Sequence, residues 1–273
     1  MPFRREGHGE GLFREGNMNR TSNRKTSQAI AFGLGILLLG ILIQAASWIK
    51  GDTLVFPGVL SILRAFFRLL GQEKTWQQMS VTLGQLILTL VISTAAGTGI
   101  GLAQGLSSFA YRLFQPIMAF LRAIPMIVLT VIIMVLTVYA RVPVAASSLI
   151  LIPMIAEAVC EGCRRIEPEL IDVWRMNSGM NLRIMGSVYL PLIGGYLKQA
   201  WFNAAGMGLR MVVTTEYLVQ TRNSLGKAIF TSGYFFEYDE IYAYALIMIL
   251  LALAISEIPR ILGRAVQKRK KRI

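Results

Sequence analysis

The sequence has few of the side chains that catalytic and metal sites require. Its 273 residues include a single histidine, His8, in a polar N-terminal stretch, and two cysteines, Cys160 and Cys163. This leaves no Ser-His-Asp set, and one C-x-x-C pair supplies only two of the four ligands of a structural zinc site. We therefore expect no catalytic residue, no metal site and no enzymatic activity, and we interpret the two cysteines as small packing residues.

A phosphate-binding loop is missing as well. The Gly226-Lys227 pair is followed by Ala228 and has Thr221 where the first glycine of a P-loop would stand. The backbone cradle that holds nucleotide phosphates is therefore not encoded. The sequence predicts no cofactor on this chain.

Charge is also scarce, and it is mostly of one sign. Asp, Glu, Lys and Arg make up 16% of the residues, against about 25% in an average soluble domain. Hydrophobic residues make up 54%, and the net charge is still +13. This apolarity excludes a disordered basic chain and argues against an ordinary soluble domain. A nucleic-acid-binding protein with a large core and an integral membrane protein remain.

The position of the charges separates these two classes. Residues 1–28 and 260–273 together hold thirteen basic and three acidic residues, and therefore +10 of the net charge. Basic residues beside apolar runs mark the cytoplasmic side of a membrane, whereas a nucleic-acid surface needs basic residues along one face with stacking aromatics. We predict an all-α integral membrane protein with both termini in the cytoplasm, an even number of spans and no nucleic-acid partner.

Apolar runs predict about six transmembrane helices between the two basic tails, in a domain over 29–259. The first run, 29–49, has no charge over 21 residues, which is enough to cross about 30 Å of hydrocarbon and longer than the apolar part of a cleaved signal. An amphipathic interfacial helix is predicted on the outer side within 50–74, and a cytoplasmic loop over about 157–187. The predicted spans are 29–49, 80–106, 123–140, 142–156, 194–218 and 241–256.

Small residues in the second span predict close helix packing. Gly97, Gly101 and Gly105 form a doubled G-x-x-x-G pattern, and in lipid such spacing lets two helix backbones approach each other.

Charged residues in the fifth span predict a route for substrate. Lys198, Arg210 and Glu216 fall within an otherwise apolar stretch, and charged groups in spans usually face a bundle interior or water. Together with Trp201 they are candidates for lining the path, and the two basic residues favour an anionic solute. The alternatives are interfacial snorkelling for Lys198 and Glu216 and interhelical packing for Trp201.

The predicted cytoplasmic loop resembles that of binding-protein-dependent ABC import permeases, whose pattern is E-A-A-x3-G-x9-I-x-L-P. Val188-Tyr189-Leu190-Pro191 matches its end. At the spacing of the pattern, Asp172 stands at the position of the acid, followed by Val173 and Trp174, and Ser178 with Gly179 stands at the glycine.

Four further segments are similar to the nitrate/taurine/sulfonate-type branch of these permeases, and the resemblance covers roughly residues 50–265. A departure, Val138-Tyr139-Ala140-Arg141 in place of a Trp-Phe-Gly stretch, leaves nitrate, sulfonates, taurine, bicarbonate and thiamine-precursor pyrimidines open as substrates. The similar segments are Phe56-Pro57-Gly58-Val59, Gln115-Pro116 with Leu121-Arg122-Ala123-Ile124-Pro125, Pro153 and Gly162 with Glu167-Pro168-Glu169-Leu170, and Glu216 with Ser224-Leu225-Gly226.

The resemblance implies a type I importer fold and a set of partners. Such a permease lies in the bacterial inner membrane as a multi-pass protein and pairs with a second permease, here in a homodimer. A cytoplasmic ATPase subunit carries the ATP and Mg, and an extracytoplasmic binding protein delivers the solute. By its position in the motif, the contact with the ATPase is assigned to Asp172, Arg175, Asn177, Ser178 and Gly179.

Two other classes remain as alternatives. A self-sufficient secondary transporter is expected to carry an inverted repeat, and none is evident in six spans. An intramembrane enzyme is disfavoured because the single histidine, His8, lies in the polar N-terminal stretch and no metal cluster is evident.

Overall fold

The structure is a computed structural model that describes residues 57–166 and 190–270, with side chains as far as 255, and four helical positions between 34 and 41. The chain divides into two units, Met1–Leu63 and Arg64–Ile273. In the first unit the continuous described part is 57–63, which enters the first helix. The predicted span over 29–49 lies outside the described residues except at those four positions, and the description below concerns the second unit.

Helices and no strands make up the regular structure of the described residues, which confirms the predicted all-α class. A short 3-10 helix, Tyr139–Arg141, leads into the fifth helix. The helices are α1 (Val59–Leu70), α2 (Glu73–Leu106), α3 (Ser108–Ala123), α4 (Met126–Leu136), α5 (Val142–Arg164), α6 (Leu190–Val219), α7 (Leu225–Tyr234) and α8 (Tyr238–Lys270).

Three helical segments within the described ranges are long and apolar enough to cross a membrane. They are Glu73–Leu106, Tyr139–Arg164 and Tyr238–Ile255, and a bent pair made of α3 and α4 would add a fourth. These segments contain the predicted second and fourth spans and nearly all of the sixth. α6 covers the predicted fifth span but is not among these segments.

The predicted third span, 123–140, is wrong as a single helix. α3 ends at Ala123, and α4 starts at Met126 after a bend of 104°. The cause is Pro125, because a proline disfavours helical backbone in the residue before it, and Ile124 is extended, with ψ at 127°. α4 is only 11 residues long, about 16 Å at the helical rise.

α2 buries many of its polar side chains against other helices and exposes aliphatic side chains along its middle. Hydroxyl and amide side chains lie beside leucines on its buried side, and the exposed side there is aliphatic. This inverted distribution suits a helix surrounded by lipid, because polar side chains in lipid associate between helices. The exposed set includes Ile87, Leu88, Val91 and Ile92, and the buried polar set includes Thr75, Gln78, Thr82, Thr89, Ser93 and Gln104.

The main core lies between α2, α5 and α6. It is built from aliphatic side chains that are almost completely shielded, among them Leu86, Leu151, Ile155, Leu209 and Val212. A second apolar cluster joins α1, α7 and α8 around Phe66, Leu69, Leu225, Tyr244 and Ile247. The two clusters hold α6 and α7 in fixed positions against α2.

α1 is amphipathic, with one apolar side buried and the other exposed. Phe66 and Leu69 are buried, while Phe67 is 68% exposed. Adjacent residues of a helix point 100° apart, and the buried side of α1 does not extend from Phe66 to Phe67. At the other end of the chain, the backbone of α8 continues into the basic tail as far as Lys270.

Candidate functional site

One cavity lies between α3 and α5 near the end of α5 that leads toward residue 167. We call it the inner cavity; its volume is about 380 Å³. The Arg122 Nη1 atom lies 2.5 Å from Glu157 Oε2, and both side chains are partly exposed. Closer to the end of α5, the Arg164 guanidinium lies over the Tyr111 ring, 3.8 Å from its centroid. A cation–π contact and an ion pair thus join α3 to α5 across a polar opening.

Sequence analysis did not identify the Arg122–Glu157 pair. The two residues are 35 positions apart, and each stands at the edge of an apolar run. Two opposite charges at the ends of adjacent predicted spans were the available signal.

A second cavity, the outer cavity, lies between α2 and α5 toward the opposite end. Its volume is about 740 Å³, and its walls are mainly apolar, with Leu88, Ile92 and Leu149 among them. Arg141, Gln85 and Ser148 are its polar lining residues together with Thr137. None of the four predicted path residues lines either cavity.

The exposed face of α6 carries polar side chains among apolar ones such as Met207. Gln199, Asn203, Arg210 and Thr214 are exposed, and their spacing places them on one side of the helix. The Gln199 Nε2 atom donates a hydrogen bond to Asn203 Oδ1 over 3.2 Å. We call these four residues the α6 polar face. Lys198 is exposed beside it, with its Nζ 5.9 Å from the Phe202 ring centroid.

The other two predicted path residues lie elsewhere. Trp201 is half-buried, packs against the main core and meets Phe202 edge to face, with the ring centroids 5.8 Å apart. Glu216 has no exposed surface. Among the four, only Lys198 and Arg210 are exposed on α6.

Glu216 is part of a hydrogen-bond network that joins three helices. Its Oε2 accepts a bond from Thr82 Oγ1 over 2.9 Å and another from the backbone N–H of Gly226 over 3.1 Å. Thr82 Oγ1 in turn accepts a bond from the backbone N–H of Leu225 over 3.0 Å. The first N–H groups of a helix lack partners within it, and Glu216 and Thr82 supply partners for α7. We interpret Glu216 as a residue that fixes α7 rather than as a solute ligand.

The start of α7 requires glycine at position 226. A Cβ atom there would overlap the Cβ of Glu216 and approach the backbone nitrogen of Tyr217 to 2.5 Å. Ser224 caps the same helix, because its Oγ accepts a bond from the Lys227 N–H over 3.2 Å. The sequence motif of an acid followed by Ser-Leu-Gly is thus one structural unit.

The three glycines of the G-x-x-x-G pattern in α2 lie against α5. A Cβ at Gly97 would lie 2.8 Å from the Ile155 Cβ, one at Gly101 would lie 2.5 Å from the Ala156 carbonyl oxygen, and one at Gly105 would lie 2.5 Å from the Cys163 Cβ. Any side chain at these positions would push the two helices apart. Cys160 and Cys163 are both buried and unpaired.

The predicted ATPase contact, Asp172, Arg175, Asn177, Ser178 and Gly179, lies outside the described residues. Within the described ranges, no three His, Cys, Asp or Glu side chains come together as metal ligands.

Comparison with known proteins agrees with this architecture. A chain of the MetNI methionine ABC transporter, crystallised in inward-facing conformations, superposes with a TM-score of 0.59 at 20% sequence identity, covering 70% of this chain and 93% of the other. The fold is therefore similar to that of this ABC-transporter chain. A search of curated protein sequences finds no match.

The family is defined by sequence. Residues 95–272 match the model of the binding-protein-dependent transport system inner membrane component. This match covers more than half of the chain, and the protein belongs to that family. It is a membrane transport component and not an enzyme.

Proposed function

We propose that this chain is the permease subunit of an ABC importer that moves a small anionic solute across the bacterial inner membrane. Solute is delivered by an extracytoplasmic binding protein, and a separate ATPase subunit, which holds ATP and Mg, drives the cycle. Two copies of the chain form the path between them. The nitrate/taurine/sulfonate-type branch is the branch to which the motifs point.

The α6 polar face is the observation that carries this proposal. α6 packs against the candidate spans α2 and α5, yet Arg210 is exposed on it together with two amides and a hydroxyl. A charged side chain on a helix packed among membrane spans is expensive in lipid and is normally found facing water or protein. An aqueous path covered by a second copy of α6 would meet this requirement.

The positive charge of Arg210 supports the class of solute. An exposed guanidinium offers up to five N–H donors in a fixed plane, a geometry suited to carboxylate, sulfonate or phosphate oxygens. Lys198 lies twelve positions earlier on the same helix and adds a second cation to its exposed surface. α5 ends at Arg164. From there the chain continues toward the proposed ATPase contact at Asp172, Arg175, Asn177, Ser178 and Gly179.

Uptake in proteoliposomes tests this function. The permease is reconstituted with its ATPase and binding protein, and uptake of nitrate, taurine and an alkanesulfonate is measured for wild type, Arg210→Gln and Arg210→Lys. We expect Arg210→Gln to lower uptake at least tenfold and Arg210→Lys to retain a larger share. Equal uptake by wild type and Arg210→Gln would contradict the assignment of the α6 polar face to the path.

A further inference from the structure

Three consecutive aromatic side chains are exposed at the turn between α7 and α8. Tyr234, Phe235 and Phe236 are 70%, 63% and 71% exposed. We call them the aromatic tip. Within the tip, the ring centroids of Tyr234 and Phe235 lie 5.3 Å apart. The ring of Phe236 lies 6.4 Å from that of Tyr238, at the start of α8.

The backbone at Phe236 is in a conformation that a phenylalanine rarely adopts. Its φ is 60°, in the left-handed region where glycine is preferred at the end of a helix. The N–H of Glu237 donates to the Ser232 carbonyl over 2.8 Å, and the N–H of Phe236 donates to the Gly233 carbonyl over 3.3 Å, which is a helix-terminating turn. A bulky residue at such a position is destabilising, and the surrounding contacts must hold it there.

Polar contacts beneath the aromatic tip hold it in place. Ser232 Oγ donates a hydrogen bond to Glu240 Oε2 over 3.0 Å. The other oxygen of Glu240 lies 2.9 Å from Arg68 Nη2, which is also 3.5 Å from Asp239. These contacts link α1, α7 and α8 and fix the segment that carries Phe236.

The aromatic tip lies where candidate spans begin. The span Tyr238–Ile255 starts two residues after Phe236. The Arg68–Glu240 pair places the start of this span near the end of α1. α1 ends at Leu70, three residues before Glu73, where another candidate span starts. Two more aromatic side chains are exposed at this end, Phe67 at 68% and Trp76 at 56%. The Trp76 Nε1 atom donates to the Leu70 carbonyl over 2.9 Å, so its polar atom is satisfied while its ring is exposed.

We infer that the aromatic tip, with Phe67 and Trp76, is a membrane-interface anchor that inserts into the headgroup region of the leaflet opposite the Arg164 end. Aromatic rings concentrate at the level where spans leave the hydrocarbon, and these rings are distributed over three elements at that level. A protein-binding surface would not require them to follow the starts of two separate spans. Phe236 contributes one of the exposed rings of the anchor, which fixes the height of the α7–α8 turn.

A nitroxide scan tests the anchor. Phe236→Cys and Gln72→Cys are labelled in the full chain, in vesicles of phosphatidylethanolamine and phosphatidylglycerol. Wild type taken through the same labelling reaction gives the background, which should be low because Cys160 and Cys163 are buried. We expect the label at 236 to collide more with oxygen, which partitions into lipid, than with a water-soluble nickel chelate. The label at the exposed polar Gln72 should show the reverse.

Two results would overturn the anchor. If the label at 236 is as accessible to the nickel chelate as the label at 72, the tip lies in water. If it is shielded from both reagents, a protein covers the tip.

A second variant separates anchoring from folding. Phe236→Gly removes the ring and the backbone strain together, so it should melt at the same or a higher temperature in detergent, while Phe236→Ala keeps the strain. Trp48, Trp174 and Trp201 are replaced by phenylalanine so that Trp76 is the one remaining fluorophore. In that background, both variants should make Trp76 fluorescence in vesicles less quenched by shallowly brominated lipid if the anchor sets the height of this end. Unchanged quenching in both variants would contradict the anchor even with a folded protein.

Discussion

Thr82 and Glu216 are 134 residues apart in the sequence and share a hydrogen bond of 2.9 Å in the interior, where neither side chain has exposed surface. The same two side chains hold the backbone of Leu225 and Gly226 at the start of α7. A carboxyl group in the middle of a transport protein suggests a solute or proton ligand. Its contacts here show that it organises the end of α6 and the helix that follows.

Glu216→Ala should destabilise the fold far more than Glu216→Gln. The alanine leaves the Gly226 N–H without its acceptor and the Thr82 hydroxyl without its partner, and each unsatisfied buried group costs about 1–3 kcal/mol. The glutamine keeps one oxygen acceptor of the same reach. Thermal unfolding in detergent measures the difference. Equal losses in both variants would show that the hydrogen bonds do not determine the role of Glu216.

Gly226→Ala should lower stability by about 1–3 kcal/mol through overpacking. The new Cβ would meet the Glu216 Cβ and backbone atoms of Tyr217 and Val213, which cannot move independently of α6. Gly206→Ala is the matched control, because a Cβ at 206 meets no atom within 4 Å and alanine is favoured over glycine in a helix by about 1 kcal/mol. A Gly226→Ala protein as stable as Gly206→Ala would contradict the close approach of α6 and α7.

The contact between α2 and α5 makes a parallel prediction. Gly101→Ala should lose about 1–3 kcal/mol, because its Cβ would reach a carbonyl oxygen and Val159 of α5. Gly99→Ala, two residues away with no atom within 4 Å, should be neutral or slightly stabilising. The two unfolding temperatures in detergent decide the matter, and a reversed order would mean that α2 does not use this face against α5.

The Arg122–Glu157 pair should contribute little to stability. Its side chains are 46% and 62% exposed, and exposed ion pairs are worth about 0.2–1 kcal/mol. A double-mutant cycle of Arg122→Gln and Glu157→Gln in thermal unfolding should therefore give a coupling energy below about 1 kcal/mol. A coupling several times larger would indicate that the inner cavity closes around the pair.

The extent to which the sequence predicted these features depends on the range of the interactions involved. The candidate spans in α2, α5 and α8 follow from runs of apolar residues, because hydropathy is summed along the chain and needs no knowledge of neighbours. The break at Ile124 was missed because the apolar run continues through Pro125, and the local preference imposed by the proline outweighs hydropathy there.

The functional residues divide in the same way. The glycine spacing of α2 identified a packing face because a helix places residues four apart on one side. Glu216 was assigned to the path because the sequence shows a charge inside a predicted span but not its hydrogen-bond partner. That partner, Thr82, is contributed by another helix. Arg210 and Glu216 are six residues apart, and the structure exposes the first and buries the second.

The most direct test of the permease assignment is purification of the tagged chain from its native membrane, followed by photolabelling with 8-azido-ATP. We predict a co-purifying ATPase subunit, equimolar with the permease, that takes the label and hydrolyses ATP. Gly179→Trp and Asp172→Arg should lose it, and the control Glu157→Gln should keep it. A chain that purifies without an ATP-binding subunit and transports solute alone in liposomes would contradict the account.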